Sequence, residues 1–106
     1  MIARIWRGWA NASNADDYYR HFTSNVAPHL KNIMGHQGAY LLRHESKGEV
    51  EFVAVSFWET METIKAFAGP NPDAAVVEPD ARAALKAFDD FARHYEVAYS
   101  STRESR

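Results

Sequence analysis

Histidine and arginine carry most of the chemistry this chain could perform. His94 sits beside Tyr95 and close to Glu96 near the C-terminal end. An imidazole titrates near neutral pH, so it can take a proton from a phenol or an activated carbon acid. The plainer role for His94 is a hydrogen bond to backbone or to Glu96 at a sheet rim. Arg4 shares one face of an alternating segment with Ile2 and Trp6. A guanidinium beside aromatic rings suits an anionic aromatic ligand, by ion pairing and stacking. The plainer role for Arg4 is a pairing with Glu96 or another acid across a sheet. Trp6, Trp58, Phe22, Phe67 and Phe88 can wall a flat apolar pocket, or simply pack a core. His21, one residue before Phe22, is a further candidate or a surface helical histidine.

Other chemistries find no support. There is no G-x-S-x-G elbow, no P-loop, no H-E-x-x-H and no dinucleotide fingerprint. The five histidines never pair at i,i+3 or i,i+4 on a predicted helix, so no metal site is expected. Cysteine is absent, which removes disulfides, thiolate nucleophiles and Cys-ligated metals. The chain has 12 basic and 14 acidic side chains with no basic block, so it carries no nucleic-acid footprint. Asp16-Asp17 and Asp89-Asp90 read as solvated helix faces, the first well placed at a helix N-terminus. No apolar run approaches the ~18 residues of a membrane span. Nothing resembles a signal peptide, since Arg4 and Arg7 interrupt the first apolar run. The expectation is a soluble cytoplasmic protein with no bound cofactor.

These residues need elements to hold them. At 106 residues, 46% hydrophobic and 25% charged, the chain reads as one globular domain. That domain is expected over 1–99, with a polar, frayed tail over 100–106. Ile2–Trp9 alternates and is rich in β-branched and aromatic residues, so it predicts a strand. Asn11–Asn14 is a turn cluster; Asn14 can cap a helix, with Asp17 at the capping-box position. Tyr18, Phe22, Val26, Leu30 and Ile33 form a helical stripe over Ala15–Met34. Pro28 lies inside it, so a kink or interruption is expected near Asn25–Pro28, with Gly35 ending the helix. Ala39–Glu45 and Glu51–Trp58 predict a hairpin around Ser46–Glu49. Thr60 caps a short helix, Met61–Ala68, closed by Gly69 and Pro70. Pro70–Pro79 is a loop, Asp80–Phe91 a second amphipathic helix, and Ala92–Tyr99 a last strand. The order is that of a ferredoxin-like α+β domain: a four-stranded antiparallel sheet with helices on one face.

Such a sheet should alternate apolar and polar residues if its second face meets water. Phe52–Trp58 does not. One face holds Phe52, Ala54 and Trp58; the other holds Val53, Val55 and Phe57. Something must cover the second face, and the simplest cover is a second copy of the same sheet.

Short strings along the chain are also familiar. The start Met1-Ile2-Ala3-Arg4-Ile5-Trp6, the segment Phe57-Trp58-Glu59-Thr60 leading into Ala66-Phe67-Ala68-Gly69, and the ending His94-Tyr95-Glu96-Val97 together resemble the antibiotic biosynthesis monooxygenase family. The resemblance spans about 1–99 in outline. It implies the dimeric α+β barrel superfamily: a homodimer joined through its sheets, with a pocket in each subunit between helices and sheet. Its members include cofactor-free oxygenases of aromatic polyketides and haem-degrading enzymes. The haem-degrading branch carries an Asn on strand 1, a Trp in the helix after strand 3 and an iron-ligating His further on. Here Trp6 and Arg7 stand on strand 1, Phe67 matches the helix position, and no His lies between Met61 and Arg93. That disfavours haem degradation.

The resulting expectation is a cofactor-independent monooxygenase acting on a small aromatic or polyketide-like substrate. His94 and Arg4 would be catalytic, and Trp6, Trp58, Phe22, Phe67 and Phe88 would bind substrate. The alternatives are a non-catalytic dimeric barrel that binds a small metabolite, and a haem-binding protein.

Overall fold

In the computed structural model the described residues are 1–101. The expected tail over 100–106 therefore lies mostly outside them. The chain runs β1 (Ile2–Asn11), a 3₁₀ turn (Ala12–Asn14), α1 (Ala15–His21), a π-helical turn (Phe22–Val26), α2 (Ala27–Lys31), β2 (His36–Ser46) and β3 (Glu49–Trp58). It continues through α3 (Met61–Ala68), α4 (Pro79–Ala84), β4 (Ala87–Phe88) and β5 (Arg93–Glu96).

All pairings are antiparallel, in the spatial order β2-β3-β1-β4, with β5 also on β1. Among the described residues the sheet therefore has five strands and not the four expected. The extra strand arises because the last position is split: β5 pairs Ile2–Ile5 of β1, and β4 pairs Gly8 and Trp9. The β2–β3 hairpin closes on Lys47 (φ 53°) and Gly48 (φ 77°). Two consecutive positive φ angles define a type I′ turn, whose twist matches that of the flanking strands.

The long first helix does change at its middle. The irregularity is a π turn over Phe22–Val26, which begins three residues before the expected window and overlaps it at Asn25 and Val26, with Pro28 in the first turn of α2. The run is helical on both sides of it, with Val26 and Ala27 both in the αR region, so its missing N–H leaves a carbonyl of the preceding turn without a helical donor. The Ala27 N–H reaches back to the Phe22 carbonyl, five residues earlier. The helix ends at Lys31, before the expected Met34. Thr60 caps α3 reciprocally with Thr63, each side chain accepting from the other's backbone N–H at 3.3 Å.

The expected helix over Asp80–Phe91 is corrected to Pro79–Ala84, and the last strand to Arg93–Glu96 rather than Ala92–Tyr99. The cause is tertiary. Lys86 N–H bonds the Trp9 carbonyl and Asp89 N–H the Arg7 carbonyl, so β1 draws this segment into the sheet. The preceding loop joins it: Ala92 N–H bonds Asp73 O, and Ala75 N–H bonds Asp90 O.

The helices cover one face of the sheet. Trp6, Val50, Phe52 and Trp58 point into that layer and are buried, with Tyr18, Phe22, Leu30 and Ile64 packed against them. The opposite face carries Ile5, Val53, Val55 and Phe57, each half-buried, and Tyr40 and Leu42, both exposed. No helix among the described residues is long and apolar enough to cross a membrane.

Candidate functional site

Alternation on β1 sends Arg4 and Trp6 inward, under the helices. Gly8 makes room for the indole, since a Cβ there would lie 2.8 Å from Trp6 Cη2. The ring is fixed at its polar end, where Nε1 donates to the Asp89 carbonyl at 2.8 Å. Ser56 and Ala54 come from β3, Tyr18 and His21 from α1, Phe22 from the π turn and Phe67 from α3. With Arg4 and Trp6 they line a largely apolar cavity of ≈ 50 Å³ between helices and sheet.

Arg4 is 4% exposed, so its charge needs partners. Nη1 donates to the Pro72 carbonyl and to His94 Nε2 at 3.0 Å; Nη2 donates to the Ala74 carbonyl at 2.8 Å. The guanidinium also lies 5.7 Å from the Phe67 ring centre. A guanidinium has five N–H donors. Nε–H and one Nη2–H thus have no protein acceptor among the described residues. Burial lowers the Arg4 pKa to about 10, with Asp73 opposing. Arg4 remains a cation at neutral pH.

Register sets His94 directly opposite Arg4 across the β1–β5 pair. Its Nδ1 meets Asp73 Oδ1 at 3.0 Å, and its Nε2 faces Arg4. Arginine can only donate, so Nε2 accepts and Nδ1 carries the proton toward Asp73. Burial, then the charge of Arg4, push the His94 pKa down, against the pull of Asp73. The result is a chain from Asp73 through neutral His94 to the Arg4 cation. Glu96 takes no part: it lies opposite Ile2.

The structure brings Arg4, Trp6, Phe22 and Phe67 together at the cavity. His94 stands behind Arg4 and borders a separate outer groove with Asn71 and Asp73. Trp58 is wholly buried in a second cluster with Leu30 and Ile64, its Nε1 donating to Ser56 Oγ at 2.8 Å. Phe88 is half-buried against the Trp6 ring, with ring centres 6.4 Å apart, and does not line the cavity. Sequence reasoning missed Asp73 and Tyr18 as members of the site. It also left open a surface role for His21, whereas His21 is 7% exposed and lines the cavity. Tyr18 had a signal, since it heads the apolar stripe of α1; burial pushes its pKa well up, so it stays a phenol. Asp73 had none, because its role depends on where a proline-rich loop folds back. No cluster of three or more metal-ligating side chains occurs among the described residues.

No protein-family model and no curated protein matches the sequence. Solved structures do match over nearly the whole chain. The monooxygenase from the gene ActVA-Orf6 of Streptomyces coelicolor, solved with the ligand nanaomycin D, superposes with a TM-score of 0.68 at 13% identity; the alignment covers 97% of this chain and 92% of that one. The chain has the fold of the antibiotic biosynthesis monooxygenases. A Bacillus cereus protein assigned to the same group aligns at TM-score 0.66 and 15% identity, covering 96% of this chain and 97% of its own. The haem-degrader MhuD of Mycobacterium tuberculosis, solved with two haems in its active site, aligns at TM-score 0.65 and 20% identity, covering 96% of this chain and all of its own. The fold thus hosts more than one chemistry, and the site must decide between them.

Proposed function

We propose that this chain is a cofactor-independent monooxygenase of a small aromatic or polyketide-like molecule. The observation that carries this reading is the buried Arg4 cation at a largely apolar cavity, with two N–H groups left for a ligand. An aromatic enolate or phenolate is electron-rich enough to pass an electron to O₂. When a ring methylene becomes a carbonyl, the substrate supplies all four electrons and the second oxygen atom leaves as water. The protein must therefore stabilise an anion, exclude water and hold the ring. Arg4 serves the first need, acting in a low-dielectric site where a fixed cation is worth more than in water. His94 is a positioning residue in this reading: its Nε2 lone pair is taken by Arg4, and Asp73 holds the ring that holds the guanidinium. Trp6, Phe22 and Phe67 supply the apolar enclosure. The free volume is small, so a ligand enters by displacing lining side chains such as Val76, which is 37% exposed.

Of the structural neighbours, one was solved with the ligand nanaomycin D and another with haem in its active site, which accords with a ligand site in this fold. The outward face bearing Tyr40, Leu42, Val55 and Phe57 supports a homodimer formed through the sheets.

The test is oxygen consumption with a panel of small phenols and no added cofactor. It is paired with binding of benzoate and its neutral isostere nitrobenzene. Arg4→Met should weaken benzoate by about tenfold or more, the worth of a charge-assisted hydrogen bond, and leave nitrobenzene nearly unchanged. Equal weakening of both would mean that Arg4 holds the sheet and not the ligand. The MhuD likeness keeps a second reading open, in which the cavity takes haem. A Soret shift on hemin titration, lost in His21→Leu, would favour it over the oxygenase.

A further inference from the structure

His21 is a buried imidazole that the mechanism above does not use. It ends α1, and the π turn begins at the next residue. π turns inserted into α-helices occur often at functional sites, because they re-aim side chains. Here Asn25, within that turn, donates from Nδ2 to His21 Nδ1 at 3.1 Å. An accepting Nδ1 places the ring proton on Nε2. Glu78 Oε1 lies 4.0 Å from Nε2, an ion-pair distance but too long for a hydrogen bond. The Nε2–H donor therefore has no acceptor at hydrogen-bond distance among the described residues. The same ring borders both the inner cavity, with Arg4 and Tyr18, and an outer groove, with Asp17, Arg20 and Asp80. A ring fixed at one nitrogen, with the other turned toward Glu78 and free of a hydrogen bond, stands between the largely apolar cavity and the polar groove and can meet a polar atom of something that enters.

We infer that His21 is a specificity-determining residue of the cavity: Asn25 fixes its tautomer, and its Nε2–H donates to a ligand carbonyl or oxyanion. This rests on the reading of the cavity as a ligand site. It adds that the ligand carries an oxygen acceptor toward α1, apart from whatever Arg4 holds. Nitrogen-15 NMR of the wild-type protein should show His21 in the Nε2–H form; a proton on Nδ1 would overturn the inference. Acetophenone and isopropylbenzene, which differ in one carbonyl at nearly equal shape, serve as probes. His21→Leu should weaken acetophenone roughly three- to tenfold, the worth of one neutral hydrogen bond, and leave isopropylbenzene unchanged. His21→Gln, whose amide can offer an N–H near the position of Nε2, should restore most of the loss. Equal loss of both probes in His21→Leu, no loss of either, or no rescue by His21→Gln would overturn it. If neither probe binds the wild-type protein, the ligand-site reading itself falls, and this inference with it.

Discussion

The two faces of one sheet follow opposite rules. The inner face buries a full charge, Arg4, and spends two loop carbonyls, a histidine and a carboxylate on satisfying it. The outer face carries an ion pair, Arg7 Nε to Asp89 Oδ2 at 3.1 Å, but beside it is apolar where water should meet it: Ile5, Val53, Val55 and Phe57 lie across its middle, with Tyr40 64% exposed beside them. A sheet that only needed to fold would bury no charge on its inner face and would alternate to polar residues on its outer one. The inner polar network is costly to build and makes sense where a ligand needs a fixed cation. The outer apolar surface is costly to leave open and makes sense where a second surface covers it. On the proposed reading, chemistry belongs to the inner face and assembly to the outer one.

The largest effect that would sharpen this contrast lies in the core beneath the helices. Trp58 is wholly buried, so Trp58→Ala should cost about 3–5 kcal/mol. Tyr40→Ala, on the outer face, should change the stability of an isolated chain by about 0.5 kcal/mol or less. Urea denaturation of both variants at low protein concentration compares them directly. Similar losses would mean that both faces serve the fold alone.

A smaller but more telling effect concerns the outer face. Val55→Asp sets a charge where sheet–sheet packing would be driest, opposite Ile5 and Tyr40. Light scattering should give twice the 12.0 kDa chain mass for the wild type and a single chain for the variant at micromolar concentration. The expected penalty is about 2 kcal/mol or more, roughly thirtyfold in dissociation constant. A wild-type protein that scatters as a monomer would break the comparison, since the outer face would then be open to solvent.

What the sequence made legible follows the same division. Local rules found β1, the hairpin at Lys47-Gly48 and the Thr60 cap, because each is decided by neighbours within a few residues. The failure of Phe52–Trp58 to alternate apolar with polar revealed two apolar faces but could not say which one the helices cover. The end of the chain was misread because Leu85–Phe91 keeps a helical stripe while β1 offers it free backbone groups; the long-range bonds from Lys86 and Asp89 win. Within the site, Arg4 and Trp6 were visible as one strand face. The pairing of Arg4 with His94 needed the register of two strands 90 residues apart, and Asp73 needed the return path of a loop. Those are tertiary facts with no local trace.

The smallest effect tests the inner network through pH. His94 is held below its usual pKa of 6.5 by burial and by Arg4. In the unfolded chain the imidazole takes up a proton as pH falls through about 6.5, while in the folded chain it stays neutral to lower pH. The unfolded state then binds more protons, so the stability His94 confers is full above pH 6.5 and is lost as pH falls from there through its folded value. His36, also depressed by burial, adds a slope of the same sign. The wild-type protein should thus lose stability between about pH 7 and about pH 5, by up to about 1.4 kcal/mol per pH unit for each such group. His94→Gln can keep an acceptor for Arg4 and has nothing to titrate, so it should flatten part of that slope; His36→Gln should flatten the remainder. Urea midpoints across this pH range measure both. An unchanged slope in His94→Gln would mean that the imidazole titrates alike in both states. The Asp73–His94–Arg4 chain would then be too loose to fix the guanidinium at the cavity, and the inner face would lose the feature that sets it apart from the outer one.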